Sequence, residues 1–221
     1  MKKLKTEWLQ LLILALPFCA VALLWDKLPA RVPIHWNSHG QVNGYAGRTF
    51  GALFVPALNV GVTALVWFVC LIDPRVKRQD ADTRARSLRA FKTIRLIISS
   101  FLCAVALTIL GISVGLPLDM PRIISVGVGI MFIVLGNIMG KLRPNYFVGV
   151  RTPWTLESVE VWGKTHRLAG KLMVLAGLVL LVSCLVLQPA IYIWIYLPLI
   201  LTVAVVPIVY SFRLYKKQQA V

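Results

Sequence analysis

The sequence predicts an all-α polytopic membrane protein: a six-transmembrane-helix bundle with a short hairpin-like loop on its outer face. Three observations predict it. The 221 residues are 58% hydrophobic with a mean hydropathy of +0.79, well above a soluble domain of this size. The apolar residues gather into six runs, 8–25, 50–72, 96–116, 123–140, 168–187 and 190–212. As helices rising about 1.5 Å per residue, these runs cross most of a hydrocarbon core about 30 Å thick. Finally, of the 24 lysines and arginines, all but Lys27, Arg31, Arg48 and Arg122 lie before the first run, between the second and third, around the fourth-to-fifth connection, or after the sixth. That is a positive-inside pattern, and it places both termini in the cytoplasm.

The first run is read as a retained helix. "MKKLK" precedes it, but it is longer than a signal-peptide core, and "LLWDKLPARVP" has no small-x-small cleavage site. The bilayer requires helices, because backbone polar groups find no water there. The net charge of +16 follows from topology and from attraction to anionic membrane lipids, so direct nucleic-acid binding is not expected. Cys19, Cys70, Cys103 and Cys184 all fall inside the runs with no CxxC spacing. They read as small apolar fillers, with no disulfide, metal or cofactor implied. Three regions result: an N-terminal membrane domain, 1–72; a basic cytoplasmic loop, 73–95; and a C-terminal membrane domain, 96–221. The connectors "PLDMP" and "QPA" are tight outer turns, so spans three and four, and five and six, form antiparallel hairpins.

The outer loop reads "LPARVPIHWNSHGQVNGYAGRT". Val32, Ile34 and Trp36 alternate with Pro33 and His35, and Asn43-Gly44 is a tight-turn signal because both residues tolerate positive φ. A short extended hairpin is expected, with Trp25, Trp36 and Tyr45 at headgroup level. His35 and His39 are four apart, but Pro33 and the turn residues oppose a helix, and no carboxylate or cysteine completes a metal site. In the basic loop, Asp73-Pro74 is a breaker, and from Asp82 the spacing suits a helix that continues into span three. The loop contacts lipid or offers a protein-docking surface.

The connection between spans four and five reads "KLRPNYFVGVRTPWTLESVEVWGKTHR". Arg143-Pro144-Asn145 is a turn, Gly149 permits another, and Thr155 suits the cap of a helix beginning near Leu156. On that helix Trp162 and His166 share a face. Asn137 lies one turn before Lys141, inside span four. Glu157 and Glu160 beside His166 do not make a catalytic set, since neither a nucleophile elbow nor H-E-x-x-H accompanies them. An enzyme is not expected. The spans carry almost no ionisable residue, which weakens a proton-coupled transporter. Gly111-x-x-x-Gly115 and Gly136-x-x-x-Gly140 permit close helix packing, and Pro17, Pro56, Pro198 and Pro207 interrupt spans.

These two loops carry a resemblance. "LPARVPIHWNSHGQVNGY" resembles an outer-loop domain of unknown function built on V-P-x-H-W-N and a later [DN]-G-[YF]. "GNIMGKLRPNYFVGVRTPWTLESVEVWGKTHRLAGKL" is similar to the signature of the SdpI family of bacterial immunity proteins, which joins R-P-N, G-[IV]-R-T-P-W-T-L and V-W-x-x-T-H-R. The resemblance covers about a quarter of the chain, and His39 is not part of it. It implies a multi-span protein of the bacterial cytoplasmic membrane that protects its cell from a secreted, membrane-acting peptide toxin. It also implies a sensor that holds a cytoplasmic repressor at the membrane. Carried over by position, the toxin-facing candidates are His35, Trp36, Asn37, Gly40 and Gly44, with Tyr45 beside them. The inner candidates are Asn137, Asn145, Arg151, Trp154, Trp162 and His166. Arg151, Trp154, Trp162 and His166 are expected to cluster against Asn137 and Asn145, either coupling toxin arrival to docking inside or pinning that end of the bundle. The alternative function is a transporter or permease-like protein for a small lipophilic compound.

The assignment of sides is directly testable. A small tag placed in the "HWN" segment should be reached by an impermeant reagent from outside intact cells, and a tag beside "RTPW" only after permeabilisation. Labelling of both from one side overturns it.

Overall fold

The computed structural model describes residues 2–219. Among them six helices are long and apolar enough to cross a bilayer: α1 (Lys2–Leu24), α2 (Arg48–Ile72), α4 (Ala81–Ser113), α5 (Met120–Met139), α7 (Val159–Val186) and α8 (Pro189–Gln219). Between them stand an antiparallel pair of strands, β1 (Arg31–Trp36) and β2 (Val42–Gly47), and two short helices, α3 (Pro74–Lys77) and α6 (Pro153–Glu157).

Local chemistry sets where the helices begin. The Asp80 carboxylate accepts from the Thr83 backbone N–H at 2.9 Å and starts α4. Asp119 does the same for α5 through Arg122 N at 3.1 Å, and the Ser158 hydroxyl does so for α7 through Val161 N at 3.2 Å. Each satisfies a backbone donor that the first turn leaves free. Thr83 also holds the Asp80 carboxyl below the usual carboxylate range, its backbone N–H being the largest cause. At 33 residues, α4 is about 50 Å long by helical rise, well beyond a hydrocarbon core. Its basic first turns therefore project past the apolar run, as the expectation of a helix from Asp82 into span three required. At its other end Gly115 takes φ +91°, and Leu116 N donates to Gly111 O at 2.9 Å, a left-handed helix stop that favours glycine.

The helices pack as two groups, α1 and α2 on α4, and α8 on α7 on α5, joined where α4 meets α5. The hairpins α4–α5 and α7–α8 form as expected. The most extensive packing, however, is between α5 and α7, and it is made by four glycines. A Cβ on Gly136 would lie 2.7 Å from Gly170 O, one on Gly170 would lie 2.6 Å from Gly136 O, and one on Gly177 would lie 2.6 Å from Gly129 O. In lipid no hydrophobic drive holds helices together, so close backbone approach matters most. The seam is spaced by seven residues on each helix, two turns, and not by the four of the Gly111/Gly115 and Gly136/Gly140 pairs. Of those, only Gly136 sits at a helix crossing. Gly111 faces Leu116 and Leu118 of the α4–α5 turn, and Gly140 faces the Arg167 side chain.

The strands form the hairpin expected before α2, but its reversal is elsewhere. Asn43 and Gly44 lie within β2, and the chain turns at residues 37–41. There the Asn37 side-chain oxygen accepts from His39 N and Gln41 N, both at 3.0 Å, and Gly40 takes φ +80°. The Asn side chain mimics a backbone turn and so outcompetes the Asn-Gly dipeptide. Gly44 instead serves an irregular register opposite His35, where a Cβ would sit 2.8 Å from His35 Cβ. The hairpin is anchored by Val32, fully buried against Ile109 and Met120 and over Gly51, where a Cβ would come within 2.5 Å. It caps one end of the bundle with the α4–α5 turn, Gly40 meeting Pro121. The α2–α4 connection, residues 141–158 and the end of α8 share the opposite end.

Gly170→Val should lower the thermal midpoint in detergent and the amount of folded protein, at about 1–3 kcal/mol for an overpacked interface. Gly61→Ala, with nothing within 4 Å of the new methyl, should leave both unchanged.

Candidate functional sites at the two ends

Under the hairpin lies a cavity of about 460 Å³. His35, Trp36 and Asn37 form its roof, Phe50 and Phe54 come from α2, Val105 and Ile109 from α4, Ile124 from α5, and Tyr192 and Tyr196 from α8. Phe50 and Phe54 stack at 4.9 Å, and Tyr192 and Tyr196 at 5.5 Å. Both tyrosine hydroxyls are buried beside the Ser125 side chain, and neither makes a well-formed hydrogen bond among the described residues. A buried unpaired hydroxyl in an apolar pocket is costly, and it offers a donor to whatever enters. The predicted outer residues therefore divide. His35, Trp36 and Asn37 border the cavity, with His35 Nδ1 2.5 Å from Asn43 Oδ1. Gly40 and Gly44 shape the backbone. Tyr45 is exposed beside Arg31, away from the cavity. The sequence reading missed Tyr192 and Tyr196; their signal is two tyrosines one helical turn apart near a span end.

At the other end, residues 141–158 are mostly irregular, and side chains satisfy their backbone. Asn145 is buried. Its oxygen accepts from Phe147 N and Val148 N at 3.0 and 2.7 Å, and its amide donates to Arg143 O and Val148 O at 3.0 and 3.1 Å. Asp73, fully buried, accepts from Arg75 N, Val76 N and Tyr146 N at 2.8, 3.2 and 2.8 Å, tying the α2–α3 corner to the loop. Arg75 donates to Leu156 O at 2.7 Å, with its guanidinium 4.4 Å from the Tyr146 ring centre. Asp73-Pro74 is more than a breaker: Asp73 caps α3 and Pro74 opens it, which makes the pair a joint.

The Trp162 indole donates to Leu142 O at 2.8 Å and stacks on the His166 ring at 4.0 Å. Val150 N donates to His166 Nε2 at 3.1 Å. Nδ1 must then carry the proton, and it donates to Trp162 O at 2.8 Å. Gly149, at φ +110°, passes directly over this ring, and a Cβ there would collide with Nε2. The helix start expected at Thr155 is one turn earlier. Thr152 caps α6 and Thr155 returns the bond in a capping box, and the chain breaks again at Ser158 before α7.

The expected six-residue cluster is smaller. Trp162, His166 and Asn145 are joined through the 145–150 turn. Arg151 is exposed and touches its edge by donating to Tyr146 O at 2.8 Å. Trp154 turns away to α8, where its indole donates to the Ser211 hydroxyl and its ring meets Phe212 at 5.2 Å. Asn137 donates back to Ile133 O of its own helix at 2.9 Å, the usual fate of a lone amide on a membrane helix face. Among the described residues no group of three or more His, Cys, Asp or Glu could hold a metal ion.

Six spans, a hairpin-roofed cavity and a hydrogen-bonded loop define a multi-pass membrane protein. The two loops identify its relatives: residues 141–211 match the SdpI/YfhL protein family, and residues 12–60 match DUF1648, a domain of unknown function. The chain is 27% identical to Immunity protein SdpI of Bacillus subtilis (strain 168) over 214 residues, which cover 97% of this chain and 98% of that protein. No solved structure matches.

His166→Ala removes a ring stack and leaves Val150 N without its acceptor. It should lower stability by about 1–3 kcal/mol, read as the thermal midpoint. Gly149→Ala should do at least as much, and Arg151→Ala, on the exposed edge, far less.

Proposed function

We propose that this is an immunity protein that protects its cell from a secreted, membrane-active peptide toxin. The hairpin end faces outward, and residues 141–158 and both termini face the cytoplasm. The observation that carries the proposal is the apolar cavity beneath the hairpin, in a chain aligned almost end to end with an immunity protein. The gathering of lysine and arginine at the other end supports the orientation. An amphipathic peptide arriving at the outer leaflet places an apolar side chain between Phe54, Ile109 and Ile124. The two tyrosine hydroxyls donate to its backbone carbonyls, which would otherwise be buried unpaired. Capture at this mouth lowers the toxin free to act on the bilayer, and no bond is made or broken.

The cytoplasmic face supplies the second half of the proposal. The basic helix start beyond Asp80, with Arg84 and Arg86, offers a docking surface to a cytoplasmic repressor. A repressor held there is withdrawn from its operator. This reading rests on the position and charge of that segment beside the loop.

Expression in toxin-sensitive cells tests protection. Ile124→Trp, which fills the cavity, should leave abundance in the membrane normal and weaken protection by about tenfold, the effect of roughly 1.4 kcal/mol of lost binding. Unchanged sensitivity across a panel of peptide toxins after deletion, with a defect in flux of a small lipophilic solute, would favour the transporter.

A further inference from the structure

A second recess lies near the loop end, apart from both sites. It opens between α1, α2 and α4 and encloses about 920 Å³. Its wall is apolar, with Trp8 and Leu11 of α1, Val66, Trp67 and Leu71 of α2, and Leu88 of α4. Most of these side chains are exposed, Trp8 at 67% and Trp67 at 56%. At its head stand Arg89, Lys92 and Arg95, three and three residues apart on α4, against one carboxylate, Glu7. Glu7 pairs with Lys92 Nζ at 2.9 Å and with Arg95 at 2.7 Å. One carboxylate against three cations leaves a surplus of two positive charges. Arg95 is only 8% exposed, and its Nε–H has no acceptor among the described residues. A buried guanidinium with a free N–H favours another anion, because burial of unpaired charge is unfavourable.

The level of the recess selects that anion. The apolar stretch of α4 begins at Leu96, that of α1 at Trp8, and that of α2 ends at Ile72. The three cations therefore sit at the height of lipid headgroups, and the wall runs from there into the hydrocarbon layer. A free phosphate would use the cations and leave the tryptophan-lined wall empty; a neutral lipid would do the reverse.

We propose that this recess binds one anionic phospholipid, its phosphate on Arg89, Lys92 and Arg95 and one acyl chain along Trp67, Val66 and Leu11. The lipid phosphate completes the charge that Glu7 only partly neutralises, and the chain fills the gap between α1 and α2. The site is independent of any toxin.

The test uses the full chain purified in neutral detergent, with phosphatidylglycerol, phosphatidylcholine or inorganic phosphate added. Bound lipid is counted by native mass spectrometry, and stability is followed as the thermal midpoint. Retention of one phosphatidylglycerol per chain and a raised midpoint are expected, with phosphatidylcholine and inorganic phosphate ineffective. Arg89→Gln and Lys92→Gln should each weaken retention by about fivefold, the effect of one cation near a lipid surface. Trp67→Leu, which keeps every charge, should weaken it as well. Equal retention of both lipids, retention unchanged in Arg89→Gln and Lys92→Gln, or an equal effect of inorganic phosphate would overturn the assignment. So would displacement of the lipid by a cytoplasmic protein binding the same residues more tightly.

Discussion

The constraint on which this structure depends is that an irregular chain at the end of a helix bundle must still satisfy its backbone. Water is scarce against the packed helix ends, and each buried N–H or C=O without a partner is costly. Between α5 and α7, beyond the last carbonyls of α5, no helix or sheet supplies those partners over residues 143–151. Side chains supply them instead, among them Asp73, Asn145, Arg151, Thr155 and His166, and Trp162 does so for Leu142 O. Asp73 reaches in from the end of α2 to take Tyr146 N, and His166 reaches back from α7 to take Val150 N. The loop is thereby fixed to two helices that are distant in sequence, and the positions of α2 and α7 are fixed by the same bonds.

The opposite end meets a different demand. There β1 and β2 satisfy one another's backbone, and the hairpin needs only an apolar anchor, which Val32 provides against Ile109 and Met120. Pro33 is buried beside it, and Trp36 packs against the same cluster. Across the cavity from the hairpin stand Tyr192 and Tyr196 of α8.

Much of this was legible in the sequence. Six apolar runs gave the spans, and the charge on α4 gave its projection from the membrane. The two loop signatures gave the family match. What was not legible came from contacts between residues far apart in the chain. Asn43-Gly44 looked like a turn until Asn37, with its own side chain as acceptor, took the reversal. Trp154 shares a loop with Trp162 but packs on Ser211 and Phe212, 57 and 58 residues on, a choice no local pattern announces. The Gly129/Gly136 and Gly170/Gly177 seam was hidden because its period is seven on each helix, and only the antiparallel pairing of α5 with α7 brings the two sets together. Asn137 looked like a cluster member because a polar residue within a span draws attention, yet its own helix satisfies it.

The satisfied state of the loop also bears on what it does. Transmission between two ends of a protein needs an element with two arrangements that both ends bias. In the loop the carboxylate of Asp73, the amide of Asn145 and both nitrogens of His166 are fully engaged, and Gly149 lies against the imidazole with no room for a methyl group. Moving any one of these groups breaks several hydrogen bonds together, which is the behaviour of a clamp. Among the described residues, hydrogen-bonding capacity is left unused in the Tyr192 and Tyr196 hydroxyls under the hairpin, the Arg95 guanidinium and Gln10 oxygen near α1, and the Thr165 hydroxyl on α7. A ligand under the hairpin meets the tyrosine hydroxyls, and an anion in the recess shares Lys92 and Arg95 with Glu7. The bonding around Trp162 favours the pinning role for those residues, and the binding proposed for this protein is assigned to the cavity and the recess.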